Sequence, residues 1–254
     1  MHKKIIGIMG AMPEEIDGVA ALLADKTVLN IAGRNYYSGA INNIKTVVAV
    51  SGWGKVAAAA TVSALIHKFN IDELVFTGVA GAINPALKIG DIVIGRRLVQ
   101  HDMDARPFIP QYEIPLLKKT FFEGGPERIS IAKTAAEILL ADKNLYALIS
   151  AEDLLSFNIV SPKVYIGDIA SGDQFISDAG KREELLKNLP GILCVEMEGA
   201  AVAQVCYESG IPFTIARTIS DTANEQSHID FTAFIRKVAS GYSVGLVKNI
   251  FSQA

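Results

Sequence analysis

Short apolar runs recur along this chain, and several of them end at a glycine or an acidic residue. Residues 5–9 read IIGIM and precede Gly10, and residues 192–195 read ILCV and precede Glu196. Runs of this length and composition indicate strands that are buried on both faces of a sheet. Such a sheet needs helices packed against both of its surfaces.

Helical segments separate these runs. The predicted strands are residues 5–9, 27–32, 36–41, 46–50, 73–76, 91–98, 164–169, 192–195 and 213–219, and the predicted helices are residues 13–23, 55–69, 129–140, 181–188, 199–208 and 231–251. Asn42 and Asn43 indicate a hairpin turn, and residues 77–82 a loop of small residues. The alternation predicts an α/β fold with a central mixed β-sheet flanked by helices. No linker or repeat divides the chain, so we expect residues 1–254 to form a single domain.

Composition and charge argue against several classes of protein. The formal net charge is −3, and the basic residues are dispersed pairs, which disfavours nucleic-acid binding. No charge-free apolar run approaches the ~18 residues of a membrane span. The N-terminus lacks the apolar core of a signal peptide, so we expect no membrane contact and a cytoplasmic location. The hydrophobic share is 50%, which a covered sheet, an oligomer interface or both would explain.

Cysteine and histidine positions give no sign of a metal site. Cys194 and Cys206 lie in apolar contexts, so we expect both to be buried. The histidines lack the spacing of metal ligands, and His228 is expected to be an ordinary loop histidine. The sequence therefore predicts no metal and no cofactor.

Two carboxylates, Glu196 and Glu198, lie within an otherwise apolar segment, residues 193–201. Burying an ionised carboxylate is costly unless a partner compensates its charge. The pattern favours acids that are placed for a ligand. A helix cap or an internal ion pair would also account for it.

Glu15, Glu198 and Asp221 each follow a predicted strand. Ligands of α/β sheets bind where the carboxyl ends of the strands open into loops, so these acids are expected at one edge of the sheet. The chain has no Gly-Lys-Ser/Thr phosphate loop, no complete Gly-x-Gly-x-x-Gly motif and no Gly-x-Ser-x-Gly motif. Carboxylates acting without a metal fit glycosidic cleavage, in which one acid protonates the leaving group and another activates water.

An ordered set of motifs extends over nearly the whole chain. It comprises GAMPEE at 10–15, SGWGKVA at 51–57, TGVAG at 77–81, KIGDIV at 88–93, HDMD at 101–104, SGDQFI at 171–176, VEME at 195–198 and RTISD at 217–221. With these motifs the chain resembles the bacterial 5′-methylthioadenosine/S-adenosylhomocysteine nucleosidases of the nucleoside phosphorylase superfamily. The resemblance implies a nucleoside phosphorylase-like fold and hydrolysis of an adenine nucleoside, a small-molecule substrate, within methionine salvage.

The resemblance also implies catalytic roles. Asp221 would be the general acid that protonates adenine N7, with Ser220 holding its carboxyl group. Glu15 would bind and activate the attacking water, and Arg217 would help to order that water and the nearby acids. Glu198 would accept hydrogen bonds from the ribose hydroxyls.

The remaining implied positions contact the substrate. Phe175 would stack on the purine, the backbone of Ile176 would read its edge, and Met197 would pack on the sugar. Glu196 is expected to support the site structurally. The full substrate-binding set implied by the resemblance is Met12, Val79, Ala80, Gly81, Phe108, Phe175, Ile176, Glu196, Met197, Ser220 and Phe231.

A second copy of the chain is expected to complete the site. Residues 100–128 have no clear period and contain four prolines, and a connection of this length is usually functional or covered by a partner. The resemblance implies a homodimer in which Phe108 reaches the neighbour's 5′ region. Arg106 is expected to point outward.

Simpler roles remain open for single residues. Asp221 could cap a helix, Phe175 could be plain core, and Glu15 could merely favour the first turn of a helix. Val79 is a departure, because the nucleosidases usually carry a serine there. Thr77 could compensate for it, or the substrate could differ, as in the branch of the family that acts on aminodeoxyfutalosine.

Two rival functions remain. A purine nucleoside phosphorylase would need arginines or helix N-termini that converge on phosphate, whereas the loop at residues 10–15 presents Glu14 and Glu15. A non-catalytic purine nucleoside-binding module could use the same cavity. Such a module would not need Glu15 to activate water.

Overall fold

The computed structural model describes residues 3–223 and 227–253, without the side chains of residues 142, 143 and 227–230. The strands are β1 Ile5–Gly10, β2 Ala24–Ile31, β3 Arg34–Ile41, β4 Ile44–Val50, β5 Glu73–Ala82, β6 Ile92–Gln100, β7 Phe122–Glu123, β8 Val164–Ser171, β9 Ile192–Glu196 and β10 Phe213–Asp221. The helices are α1 Pro13–Ala20, α2 Lys55–Phe69, α3 Pro126–Leu140, α4 Asp142–Tyr146, α5 Ala151–Ser156, α6 Ala179–Asn188, α7 Gly199–Ser209, α8 Ser227–Phe234 and α9 Ser240–Phe251. Residues Ile235–Ala239 form a π-helical segment between α8 and α9.

All described strands belong to one mixed sheet, in the order β10-β6-β8-β9-β5-β1-β4-β3-β2, with β7 paired to β6. Strand β10 also pairs with β5, so β5, β9, β8, β6 and β10 close into a ring. The expected single-domain α/β fold with helices around a mixed sheet is confirmed. The closure through β10 was not predicted.

Helices cover both faces of the sheet because neighbouring strand residues point to opposite sides. In β1, Ile8 joins the core beneath α1, α3 and α9, whereas Met9 joins the core beneath α2 and α7. Both side chains are fully inaccessible to solvent. Because the sheet is covered in this way, functional groups are displayed mainly where the strands end.

Helix α2 and the hairpin after β3 match the sequence prediction. The predicted helix at residues 55–69 has the observed bounds of α2. Asn42 and Asn43 both have positive φ angles, 49° and 63°, as the tight turn between β3 and β4 requires. Helix α1 is shorter than predicted and ends at Ala20.

The predicted loop at residues 77–82 is wrong, because β5 continues through it to Ala82. Val79 lies opposite Thr218 of β10, and Gly81 lies opposite Val195 of β9. Pairing to β10 and to β9 holds this small-residue stretch extended.

The C-terminal helical region also differs from its prediction. It begins at Ser227 rather than at residue 231, and the π-helical segment interrupts it. Helices α4 and α5 and strand β7 were not predicted, because elements of two to six residues carry too little periodicity to recognise. No described helix is long and apolar enough to cross a membrane.

Candidate active site

A cavity of about 400 Å³ opens where β1, β5, β9 and β10 end. This volume lies within the range of small-molecule sites. Its lining comprises Ala11, Met12, Glu15, Trp53, Val79, Ala80, Gly81, Gln174, Phe175, Ile176, Val195, Glu196, Met197, Glu198, Ser220, Asp221, Phe231 and Thr232. Four carboxyl groups thus meet in one largely apolar chamber.

Glu15 lies in the first turn of α1 and is buried. Its Oε2 accepts hydrogen bonds from the N–H groups of Ala11 (2.7 Å) and Met12 (3.0 Å), and its Oε1 accepts one from Val79 N–H (3.1 Å). Burial raises the pKa of Glu15, while the charge of Arg217 and the three N–H donors act in the opposite direction. Glu15 therefore caps its helix, joins α1 to β5 and presents its carboxyl group at the cavity.

Glu196 and Arg217 form a buried ion pair beside the cavity. The Arg217 Nη2 and Nε donate to Glu196 Oε2 at 2.8 and 3.2 Å. Glu196 also accepts from the Ser171 hydroxyl and from Gly199 N–H (2.8 Å). The guanidinium lies over the Phe76 ring, 3.9 Å from its centroid, and does not line the cavity. These contacts agree with a supporting role for Glu196.

Glu198 lies just before α7 and reaches across to the N-terminus of α2. Its Oε1 accepts a hydrogen bond from Gly54 N–H at 2.7 Å. Burial, together with repulsion from Glu196, raises the pKa of Glu198 to about 8, against the Gly54 hydrogen bond and the charge of Arg217. The hydrogen bond from Gly54 thus holds the Glu198 carboxyl group in place, and Glu198 also lines the cavity.

Asp221 ends β10 and is buried. The Ser220 hydroxyl donates to its Oδ2 (2.9 Å), and Ala223 N–H donates to its Oδ1 (2.9 Å). Helix α8 begins at Ser227, six residues beyond Asp221. The hydrogen bonds from Ser220 and Ala223 hold the carboxyl group where it lines the cavity.

Aromatic side chains also line the cavity. The rings of Phe175 and Phe231 meet edge to face with centroids 5.6 Å apart, and Trp53 approaches Phe231 at 6.3 Å. Phe175 is 46% exposed and is therefore not plain core. Flat apolar rings and carboxylates in one cavity suit a ligand with one planar apolar part and one polar part.

Two glycines make room for the acids. A Cβ atom on Gly78 would lie 2.7 Å from Glu15 Oε1, and a Cβ atom on Gly81 would lie 2.8 Å from Asp221 Oδ1. Contacts that short do not occur for real Cβ atoms. A side chain at Gly78 or Gly81 would therefore displace the carboxyl group of Glu15 or Asp221.

Comparisons with known proteins agree with this architecture. A family model described as the phosphorylase superfamily matches residues 5–248. A 5′-methylthioadenosine/S-adenosylhomocysteine nucleosidase of Staphylococcus epidermidis is 35% identical over 236 residues, which cover 92% of this chain and 94% of the relative. The chain belongs to this nucleosidase family.

Solved structures in the same group are similar over the full fold. The futalosine hydrolase of Helicobacter pylori has a TM-score of 0.83 and 33% identity, and covers 99% of this chain and 98% of its own. The nucleosidase of Neisseria meningitidis, in complex with methylthio-immucillin-A, has a TM-score of 0.84 and 30% identity, and covers 99% and 100%.

Most positions that the nucleosidase resemblance singles out line the cavity, and two do not. Arg217 lies behind it, and Phe108 is 91% exposed on the segment after β6. Thr77, which could compensate for the missing serine at Val79, is not among the lining residues, and its hydroxyl lies 3.3 Å from that of Ser243. Arg106 is exposed, as expected, and pairs with Asp104.

Five lining residues were missed: Ala11, Trp53, Gln174, Val195 and Thr232. Four of them adjoin or lie within the motifs of the nucleosidase resemblance, so the motifs themselves were a usable signal for them. No sequence signal indicated Thr232.

The side chain of His228 lies outside the described residues. Among the residues that the structure describes, no three His, Cys, Asp or Glu side chains form a group that could hold a metal ion.

The raised pKa values make stability depend on pH in a definite direction. Glu198 binds its proton more tightly in the folded protein than in the unfolded chain, so its contribution to stability is lost as pH rises from about 4.5 toward about 8. We expect the Tm of the wild type to fall between about pH 6 and about pH 8, and Glu198→Gln to fall less.

Thermal unfolding at the two pH values measures this difference. Glu137→Gln is the matched control, because it removes an exposed carboxylate paired with Lys133 on α3. Equal pH slopes for Glu198→Gln and the control would contradict the burial argument.

Proposed function

We propose that this protein hydrolyses the N-glycosidic bond of 5′-methylthioadenosine and S-adenosylhomocysteine, or of related adenine nucleosides such as aminodeoxyfutalosine, and releases adenine. The observation that carries the proposal is the convergence of Glu15, Glu198 and Asp221 from separate strand ends on one aromatic-walled cavity. The names of the curated relatives support the same reaction.

Asp221 is proposed as the general acid. It donates a proton to N7 of adenine, so that the base leaves as a neutral group when the C1′–N9 bond breaks. The hydrogen bonds from Ser220 and Ala223 keep its carboxyl group directed at the cavity. Cleavage of this kind passes through an oxocarbenium-like sugar, which nearby carboxylates stabilise.

Glu15 is proposed as the general base. It accepts a proton from the water that adds to C1′, and burial, which raises its pKa, makes it a stronger base than an exposed glutamate. Arg217 is proposed to act indirectly. Its positive charge lowers the pKa of Glu15, which burial raises, and Glu196 pairs with the Arg217 guanidinium.

Glu198 and the aromatic side of the cavity are proposed to hold the substrate. Glu198 accepts hydrogen bonds from the ribose hydroxyls, with Met197 against the sugar. Phe175 stacks on the purine, beside the backbone of Ile176. Phe231 faces the sugar and the 5′ substituent. The remaining predicted contacts, Met12, Val79, Ala80 and Gly81, also line the cavity and complete this proposed binding surface.

Phosphorolysis is the competing reaction, because the matching family model is described as the phosphorylase superfamily. Among the described lining residues there is no Lys, Arg or His, whereas four are Glu or Asp. A phosphate nucleophile would meet negative charge without a compensating donor group. The charge of the cavity therefore favours water.

Product analysis separates the candidate functions. With 5′-methylthioadenosine, S-adenosylhomocysteine, aminodeoxyfutalosine and inosine as substrates, we expect chromatography to show free adenine from one or more of the first three, at a rate independent of added phosphate. A sugar 1-phosphate product would replace hydrolysis by phosphorolysis. Binding without any base release would leave only a nucleoside-binding module.

Replacing Asp221 by Asn tests the general acid. The amide keeps the size of the carboxyl group but has no acidic proton to give, so we expect kcat to fall by about 10²–10⁴-fold with the fold preserved. Steady-state kinetics and circular dichroism measure the two effects. Asp25→Asn, an exposed substitution on β2, is the control, and near-wild-type turnover by Asp221→Asn would refute the assignment.

We also propose that two copies of the chain form a homodimer in which residues 100–128 contact the partner's cavity. Phe108 is 91% exposed and Leu116 is 98% exposed, which is unusual for apolar side chains without a covering partner. Sedimentation velocity is expected to give twice the mass of the chain. Phe108→Ala should lower kcat/KM, while the Tm of the monomeric protein stays the same as in the wild type. A wild-type monomer with full activity would contradict the proposal.

A further inference from the structure

A polar cluster beside the cavity joins three separate parts of the chain. Lys55 begins α2, Asp102 follows β6, and Asp173 follows β8. The Lys55 ammonium group donates to Asp102 Oδ1 at 2.6 Å, and these side chains are only 19% and 21% exposed. No part of this cluster has a role in the proposed chemistry, so its purpose needs a separate explanation.

The N-terminus of α2 holds two carboxylates through consecutive N–H groups. Gly54 N–H donates to Glu198 Oε1 at 2.7 Å, and Lys55 N–H donates to Asp173 Oδ1 at 2.8 Å. The positive end of a helix favours negative charge at this position. The loop that contains Asp173 is thereby fixed relative to the carboxylate that we propose for the ribose.

Asp102 holds the same loop from the other side. Its Oδ2 accepts a hydrogen bond from Asp173 N–H at 2.9 Å, while its Oδ1 accepts from Lys55. Burial alone would raise the pKa of Asp102, but Lys55 and the Asp173 N–H group outweigh it and lower the pKa below its usual value. Asp102 thus remains a charged acceptor, and charge-assisted hydrogen bonds are stronger than neutral ones.

The residues held in this way lead directly into the cavity lining. Asp173 precedes Gln174, Phe175 and Ile176, all of which line the cavity, and Phe175 has nearly half of its surface exposed. Gly172 and Ile176, at the two ends of this loop, are buried, whereas Asp173, Gln174 and Phe175 between them are exposed. The polar contacts of Asp173 therefore supply hydrogen-bonded support to the exposed middle of the loop, which core packing does not cover.

We propose that Asp102, together with Lys55, is a positioning residue that sets the place of the loop at residues 172–176 and thereby the affinity for the nucleobase. This inference rests on the proposed function. Asp102 touches neither the cavity nor any proposed catalytic group. Its removal should therefore weaken binding and leave the bond-breaking step nearly intact.

Two substitutions at residue 102 grade the effect. Asp102→Ala removes both acceptors and is expected to raise the KM for the adenine nucleoside about tenfold, with kcat within about twofold. Asp102→Asn keeps one acceptor for Asp173 N–H, so its KM should lie between those of the wild type and Asp102→Ala. If Asp102→Ala does not fold, Asp102→Asn provides the test.

Lys55→Met and Glu137→Gln complete the set. Lys55→Met leaves Asp102 Oδ2 as an acceptor for Asp173 N–H, so its KM should rise less than that of Asp102→Ala. The double variant should be no worse than Asp102→Ala, because both substitutions act through one cluster. Glu137→Gln removes an exposed ion pair on α3 and should leave KM unchanged. Loss of kcat with KM unchanged in Asp102→Ala, or full additivity with Lys55→Met, would overturn the proposal.

Hydrogen exchange gives a readout that does not depend on activity. In the unliganded protein, Asp102→Asn should increase amide exchange in the peptide that covers residues 171–176, while α3 exchanges as in the wild type. Unchanged exchange in that peptide would refute the positioning role. Absence of adenine release by the wild type would instead refute the proposed function, and the exchange result would still stand.

Discussion

Arg217 and Glu196 form an ion pair that is almost wholly inaccessible to solvent, at the place where β5, β9 and β10 meet. Removing one partner of such a pair typically costs about 3–5 kcal/mol, because the other charge is then left buried and alone. The backbone oxygens of Phe76 and Ala216 accept further hydrogen bonds from the guanidinium. The pair therefore links the end of β9 to the middle of β10 and, through the Phe76 carbonyl, to β5, beside the cavity.

Charge within the site follows from this pair. The negative charge of Glu196 compensates the positive charge of Arg217 beside the cavity. Glu15 and Glu198 are left in a chamber with few counter-charges, and burial raises the pKa of both. A water molecule entering here meets carboxyl groups whose burial makes them stronger bases than exposed carboxylates.

How far the sequence could predict this protein differs from one region to the next. Helix α2 and the Asn42–Asn43 turn were predictable because local periodicity and turn chemistry decide them. The continuation of β5 through residues 77–82 was not, because small residues read as a loop until the neighbouring strands are known. Trp53 was missed as a lining residue, since only the packing of α8 brings Phe231 against it.

The site depends on Gly78 and Gly81 because neither residue has a Cβ atom. Neither residue has a functional group, yet each leaves the space that an acid occupies. A side chain at either position would have to displace the neighbouring carboxyl group. A substitution at Gly78 or Gly81 therefore changes the shape of the site and the position of its acids together. Redesigning this part of the cavity requires changing a glycine and the adjacent carboxylate at the same time.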